Sequence, residues 1–215
     1  MKIITKIRLK AHLNTFLCSL LAGITIGIGG VIYLSCDNKY IGAFLFGLGL
    51  FTILTFSFNL YTGKIGYAVG NKPAYIIDLI IIWFGNLVGT MIVGLSLQLT
   101  RIGESLIEKA QVLCDTKLND NLISIFILSV FCGLLMFIAA DGYRNINNPI
   151  AQVMVIFLPV MVFILSGFEH CVANMFYFTI SNMWNWQSVL HLLVMTVGNS
   201  VGGMLIPVIR KGIKI

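Results

Sequence analysis

Charge is the scarcest thing in this sequence. Lys, Arg, Asp and Glu together supply 10% of its 215 residues, whereas soluble domains carry about 25%. That deficit excludes a water-soluble fold of this length. With 58% hydrophobic residues and a mean hydropathy of +0.96, the chain reads as an integral membrane protein whose apolar surface faces lipid. Metal and redox patterns are missing too. The five cysteines form no C-x-x-C pair and no regular spacing. Cys18, Cys132 and Cys171 lie in apolar runs, where cysteine behaves as a small hydrophobe, and nothing calls for a Cys36–Cys114 bridge. There is no H-E-x-x-H and no second histidine at ligand spacing, so no metal or cofactor is expected. No Ser-His or paired-Asp arrangement stands in the apolar runs, which argues against an enzyme. The net charge of +6 gathers at the ends and in short loops without aromatic interleaving, so no nucleic-acid partner is expected.

What is present is a series of charge-free runs of spanning length. A crossing helix needs about 20 apolar residues, and such runs cover 16–36, 40–63, 79–100, 121–140 and 145–168. The stretch 170–209 is too long for one crossing. It divides at "SNMWNWQS" (181–188), whose polar residues and tryptophans suit a membrane surface. That leaves a short piece, 171–180, and a full span, 189–209, for six spans in one transmembrane domain, 1–215. The first apolar run exceeds a signal-peptide core and no A-x-A site follows it, so it reads as a retained span. Lys2, Lys6, Arg8, Lys10, Lys72, Arg144, Arg210, Lys211 and Lys214 fall on one side. Lys39, Arg101, Lys109 and Lys117 fall on the other, offset by five acids. The positive-inside rule then places both termini in the cytoplasm. The mixed-charge segment 101–120 reads as a solvated helix or cap on the outer face.

The chain also repeats itself. "WFGNLVGTM" (83–91) and "TVGNSVGGM" (196–204) share G-N-x-V-G-x-M, and "LAGIT" and "FCGLL" align on Gly23 and Gly133. Residues 14–100 and 121–210 are therefore expected to be two halves. Three spans per half force them into opposite orientations, the plan of many channels and transporters. "NLYTGKIGYAVGNKP" (59–73) and "LSGFEHCVANMF" (165–176) each read as a half-helix, an irregular break at Thr-Gly-Lys or Gly-Phe-Glu-His, and another half-helix. Breaks at membrane depth persist only where buried or lining a cavity. Their helix amino ends offer unpaired N–H groups that favour anions.

"GFEHCVANMF" (167–176), "LYTGK" (60–64) and "GNSVGGM" (198–204) resemble the signatures of the formate/nitrite transporter family. The resemblance implies an all-α, aquaporin-like protomer of six transmembrane helices with helices 2 and 5 broken. It implies assembly into a homopentamer with one pore per protomer, set in the lipid bilayer of the cytoplasmic membrane. It implies passage of small monovalent weak-acid anions: formate, nitrite or hydrosulfide. By the motif match His170 is the central pore histidine and Thr62 the threonine facing it. Leu60, Phe163, Phe46 and Leu50 fall where the family places apolar constrictions, and Tyr61, another pore residue by the match, replaces a common phenylalanine. Lys64 stands where the family usually has asparagine, and is read as reaching back to the inner surface rather than adding charge to the pore. Gly133 stands where many members carry asparagine. Gly63, Glu169 and Asn174 are expected to hold the helix breaks together.

On residue chemistry alone, an intramembrane histidine is a functional candidate by default, since an imidazole exchanges a proton near neutrality. A carboxylate beside an anion path repels the cargo, so Glu169 is read as structural. Asn86, Asn174 and Asn199 are read as helix-to-helix hydrogen bonds. The alternative function is an aquaporin-type pore for small neutral solutes.

Overall fold

The computed structural model describes residues 2–213, with side chains described for 9–213. The side chains of Lys2, Lys6 and Arg8, and residue Lys214, which entered the orientation argument, lie outside the described residues. The described chain is helical: α1 (Lys2–Ser35), α2 (Lys39–Thr55), α3 (Tyr61–Lys64) continuing as a 3-10 turn (Ile65–Val69), α4 (Tyr75–Gln98), α5 (Gly103–Leu118), α6 (Leu122–Asn145), α7 (Pro149–Leu165), α8 (Cys171–Ile180) and α9 (Trp186–Ile213).

Asparagine side chains set three of the helix starts. Asn38 Oδ1 accepts the amides of Tyr40 and Ile41, Asn148 Oδ1 those of Ile150 and Ala151, and Asn121 Oδ1 that of Ser124. These contacts satisfy donors that a helix leaves unpaired. Pro149, whose missing N–H costs nothing at a first position, opens α7.

Four helices are long and apolar enough to cross a membrane: Leu9–Ser35, Tyr75–Gln98, Leu122–Asn145 and Trp186–Ile213. The runs 40–63 and 145–168, read from sequence as full spans, instead give the 17-residue helices α2 and α7. At 1.5 Å per residue each is about 25 Å long, short of a hydrocarbon core of about 30 Å. Both end the same way. Ser57 (φ 57°) and Gly167 (φ 70°) turn left-handed, and the next amide folds back: Phe58 N to Ile53 O at 2.8 Å, Phe168 N to Phe163 O at 2.9 Å. This 6→1 closure stops a helix. The first interruption therefore lies at 56–60, ahead of the Thr-Gly-Lys triplet where the sequence placed it. Gly63 sits inside α3.

The long helices pair as α1 with α4 and α6 with α9, while α2 packs on α7. A Cβ at Gly23 would overlap the Asn86 carbonyl, and one at Gly133 the Asn199 carbonyl. The two aligned glycines thus permit the same close crossing in each pair. Phe44 and Phe157 stack at 4.7 Å between α2 and α7. Ile80, Phe84, Phe131, Leu193 and Leu205 point outward, exposed, as lipid-facing residues do.

Two faces can be distinguished. On the termini face, His12 approaches Asp78 at 3.9 Å and Lys211 Nζ donates to Val69 O at 3.5 Å. On the opposite face lies α5. It is a helix, as expected, but more than a solvated cap: Leu106, Ala110, Cys114 and Leu118 form a buried stripe, and α5 lies across α8.

Candidate permeation site

The interruptions after α2 and α7 meet in the interior, held there by two asparagines. Asn86 Nδ2 donates to Ser19 O and Asn59 O, each at 2.8 Å, while its Oδ1 accepts the Tyr61 amide at 2.8 Å. Asn199 Nδ2 donates to Ser129 O at 2.7 Å and Glu169 O at 2.8 Å, and its Oδ1 accepts the Cys171 amide at 2.9 Å. Each side chain thus ties a long helix to its partner helix and to the break. Asn86 and Asn199 make the helix-to-helix bonds expected of asparagines in apolar spans. They also consume the leading amides of α3 and α8, so those two N–H groups are not the free anion donors that the sequence suggested.

His170 caps α8. Its Nδ1 accepts the Ala173 amide at 3.0 Å, and its Nε2 lies 2.8 Å from Thr62 Oγ1. Because Nδ1 accepts, the neutral ring carries its proton on Nε2 and donates to Thr62. The Thr62 hydroxyl hydrogen then remains free. Both side chains are buried. Phe163 stacks on the imidazole at 5.6 Å, and Phe46 meets Phe163 edge-on at 5.8 Å. Leu60 and Leu50 are buried in the same apolar cluster. A cavity of about 90 Å³ opens on the α5 side, lined among others by Lys117, Phe163, His170, Ala173, Asn174 and Tyr177.

Glu169 is tied to α5 and α8. Lys117 Nζ reaches its two carboxylate oxygens at 2.8 and 2.7 Å, and Asn174 Nδ2 donates to Oε2 at 2.8 Å. Asn174 also donates to the His170 carbonyl, and its Oδ1 is a buried acceptor without a protein partner. Lys117, counted from sequence only as an outer-loop charge, is therefore part of the site. A separation of 52 residues hid the pair from local reading.

Tyr61 turns sideways. Ser200 Oγ donates to Thr196 O at 2.6 Å, so it accepts the Tyr61 hydroxyl at 2.9 Å. Tyr61 also lines an apolar groove of about 500 Å³ between α4 and α9. In the wall of that groove Trp83 Nε1 donates to Thr196 Oγ1 at 3.1 Å. Lys64 is half-buried on the termini side, where its carbonyl accepts the Tyr75 hydroxyl at 3.2 Å.

Comparison with known proteins agrees with this architecture. The family model for formate/nitrite transporters matches residues 2–210. The formate channel FocA of Escherichia coli is 26% identical, over 92% of this chain and 85% of its own length. A formate-nitrite transporter of Plasmodium ovale is 22% identical, over 92% and 76%. Among solved structures, a pentameric formate channel with formate bound superposes with a TM-score of 0.82 at 26% identity, covering 95% of this chain and 97% of that one. An ion channel of the same family gives 0.76 at 21% identity, covering 95% and 90%, a likeness of fold. With the family model spanning nearly the whole chain, this protein belongs to the formate/nitrite transporter family.

Proposed function

We propose that this chain conducts small weak-acid anions (formate, nitrite or hydrosulfide) across the cytoplasmic membrane, through a pore in each protomer of a homopentamer. The observation that carries the reading is the 2.8 Å contact between Thr62 Oγ1 and His170 Nε2, where two interrupted helices converge. In this reading α2 with α3, and α7 with α8, make the second and fifth of six crossings. The matched asparagine contacts and the paired left-handed turns support a 3+3 inverted repeat. Both termini lie in the cytoplasm, and the cargo is transported rather than chemically converted. The pentamer rests on the solved relative, a pentameric formate channel with formate bound.

An anion cannot cross a ring of Phe46, Phe163, Leu50 and Leu60 unaided, because an ion leaving water for an apolar medium loses most of its solvation. Thr62 offers a hydroxyl hydrogen, and His170 offers a transferable proton once its ring has taken one up from the adjoining water. The anion is held by the first and carried past the apolar collars as the neutral acid, or with a compensating proton from the second. The Lys117–Glu169 pair braces the histidine's backbone from the α5 side.

Uptake of labelled formate, nitrite and hydrosulfide into proteoliposomes across a pH series tests this. His170→Ala is expected to change both rate and pH dependence, and unchanged flux would refute the reading. Osmotic water flow in the same vesicles separates it from a neutral-solute pore.

A further inference from the structure

The apolar groove between α4 and α9 is as long as one membrane leaflet is deep. Its mouth lies at the termini face, between Ala68 on the 3-10 turn and Ile76 in the first turn of α4. Its walls run from Ile76 to Phe84 along α4 and from Leu193 to Met204 along α9. At 1.5 Å per residue those stretches measure about 12 and 16 Å, half of a hydrocarbon core of about 30 Å. Ile76, Ile80, Phe84 and Leu193 are exposed along its rim, so its long side opens to the bilayer.

The wall leaves a ligand little to hydrogen-bond. The Tyr61 hydroxyl goes to Ser200 Oγ, Trp83 Nε1 to Thr196 Oγ1, and the Thr196 hydroxyl to Leu192 O at 2.8 Å. A peptide or polar solute would give up its own solvation there without a partner, whereas a hydrocarbon chain gives up none. About 500 Å³ spread over that length leaves a cross-section of roughly 30–40 Å², too narrow for a neighbouring protomer's helix about 10 Å across. The mouth, in contrast, carries charge. Lys72 stands midway between Ala68 and Ile76, and its carbonyl accepts the Tyr75 amide at 2.9 Å, which fixes it at the entry to α4. It is exposed and has no carboxylate within 4 Å among the described residues. Asp78, the acid in the first turn of α4, faces His12 on α1 instead. An unpaired ammonium above an apolar slot complements an anionic lipid.

We infer that this groove seats one acyl chain of an anionic phospholipid from the leaflet at the termini face, with the lipid's phosphate on Lys72. The tail lies against Tyr61, whose hydroxyl ties α3 to α9 and whose neighbour in the chain is Thr62. The lipid therefore packs behind the wall that carries the Thr62–His170 contact, outside the path of any permeating anion. The site stands whether or not the pore carries anions.

The test uses the full chain in phosphatidylcholine vesicles doped with a phospholipid brominated in its acyl chains, since bromine quenches a tryptophan it touches. The Trp83 signal is the difference between the parent and Trp83→Phe. Brominated phosphatidylglycerol is expected to half-quench Trp83 at about one-fifth the mole fraction that brominated phosphatidylcholine needs, the preference that one surface lysine supplies at about 1 kcal/mol. Lys72→Gln should abolish that preference. Ala68→Phe, which fills the mouth, should stop either lipid from quenching Trp83, while the exposed Trp186 is still quenched. Equal quenching of Trp83 by the two lipids in the parent, or a preference that survives Lys72→Gln, refutes the site. A Trp83 that neither lipid quenches also refutes it, and shows the groove covered by a second copy of the chain. Elution volume and thermal midpoint show which variants are folded, and Lys72→Gln, at an exposed position, decides the matter if Ala68→Phe does not fold.

Discussion

The ammonium of Lys117, on the helix lying across the α5 face, is shared between both carboxylate oxygens of Glu169 at 2.8 and 2.7 Å. Only 15% of the lysine side chain and 5% of the glutamate side chain remain exposed. Removing one partner of such a pair strands a charge where water is scarce. Lys117→Met is therefore expected to lower stability by about 3 kcal/mol, the low end for a buried pair. The double variant Lys117→Met with Glu169→Gln should recover part of that loss. Thermal unfolding in detergent measures both, and a double variant no more stable than the single one contradicts the pairing.

Asn86 and Asn199 each bind one amide and two carbonyls at a helix break. Truncation to alanine leaves the amide that follows the break and the carbonyl that precedes it without partners, each costing about 1–3 kcal/mol. Asn86→Ala and Asn199→Ala should be equally damaging, by about 3 kcal/mol or more, because the contacts correspond one for one. Unfolding midpoints that differ widely between the two would show that the halves do not share this support.

How much of this was legible in the sequence depends on the reach of each signal. Local signals read well. Charge-free runs gave the long helices, and asparagines inside apolar spans marked Asn86 and Asn199 as helix-joining residues. The Glu-His pair drew attention to His170 because an ionisable side chain in an apolar run is costly. Signals that depend on distant partners did not read. Ser57 turns left-handed without the glycine that announces such a turn, so the first interruption was placed too late. Lys117 pairs across 52 residues, and Tyr61 leans on Ser200 across 139. No periodicity within one helix encodes either contact. The free amides expected at α3 and α8 were illegible for the same reason, since what consumes them comes from α4 and α9.

Gly133 faces the backbone of Asn199 with no room for a Cβ. An asparagine there, as many family members carry, does not fit between α6 and α9 as they pack in this chain. Gly133→Asn should cost about 1–3 kcal/mol, as overpacked cores do. Its match Gly23→Asn, which meets Asn86 in the same way, should cost a similar amount. Midpoints unchanged by either substitution would mean that the helices separate freely.

Cys114 reports on the seating of α5. It is fully buried, and burial pushes its thiol up to about 11. Since the thiolate is the reactive form, maleimide should leave Cys114 unlabelled at neutral pH and begin to reach it only as the pH nears that value or when the protein unfolds. Cys36, partly exposed near the same face, should label first. Peptide mass spectrometry separates the two, and early labelling of Cys114 would place α5 away from α8.

The direction of the hydrogen bond between His170 and Thr62 can be read experimentally. The Ala173 amide donates to Nδ1, which leaves the neutral ring's hydrogen on Nε2, pointing at Thr62 Oγ1. A hydroxyl that accepts from the ring keeps its own hydrogen for another acceptor, and under the proposed function that acceptor is the permeating anion. Nitrogen NMR of labelled histidine should therefore find His170 as the Nε2–H tautomer. Thr62→Ser, which keeps the hydroxyl, should retain most formate flux. Thr62→Val keeps the shape but leaves Nε2–H without a buried partner and the anion without its donor. One lost hydrogen bond of about 1.4 kcal/mol in the rate-limiting crossing lowers the rate about ten-fold. An Nδ1–H signal, or a valine variant as fast as the parent, would show that the hydroxyl hydrogen is not what the anion meets.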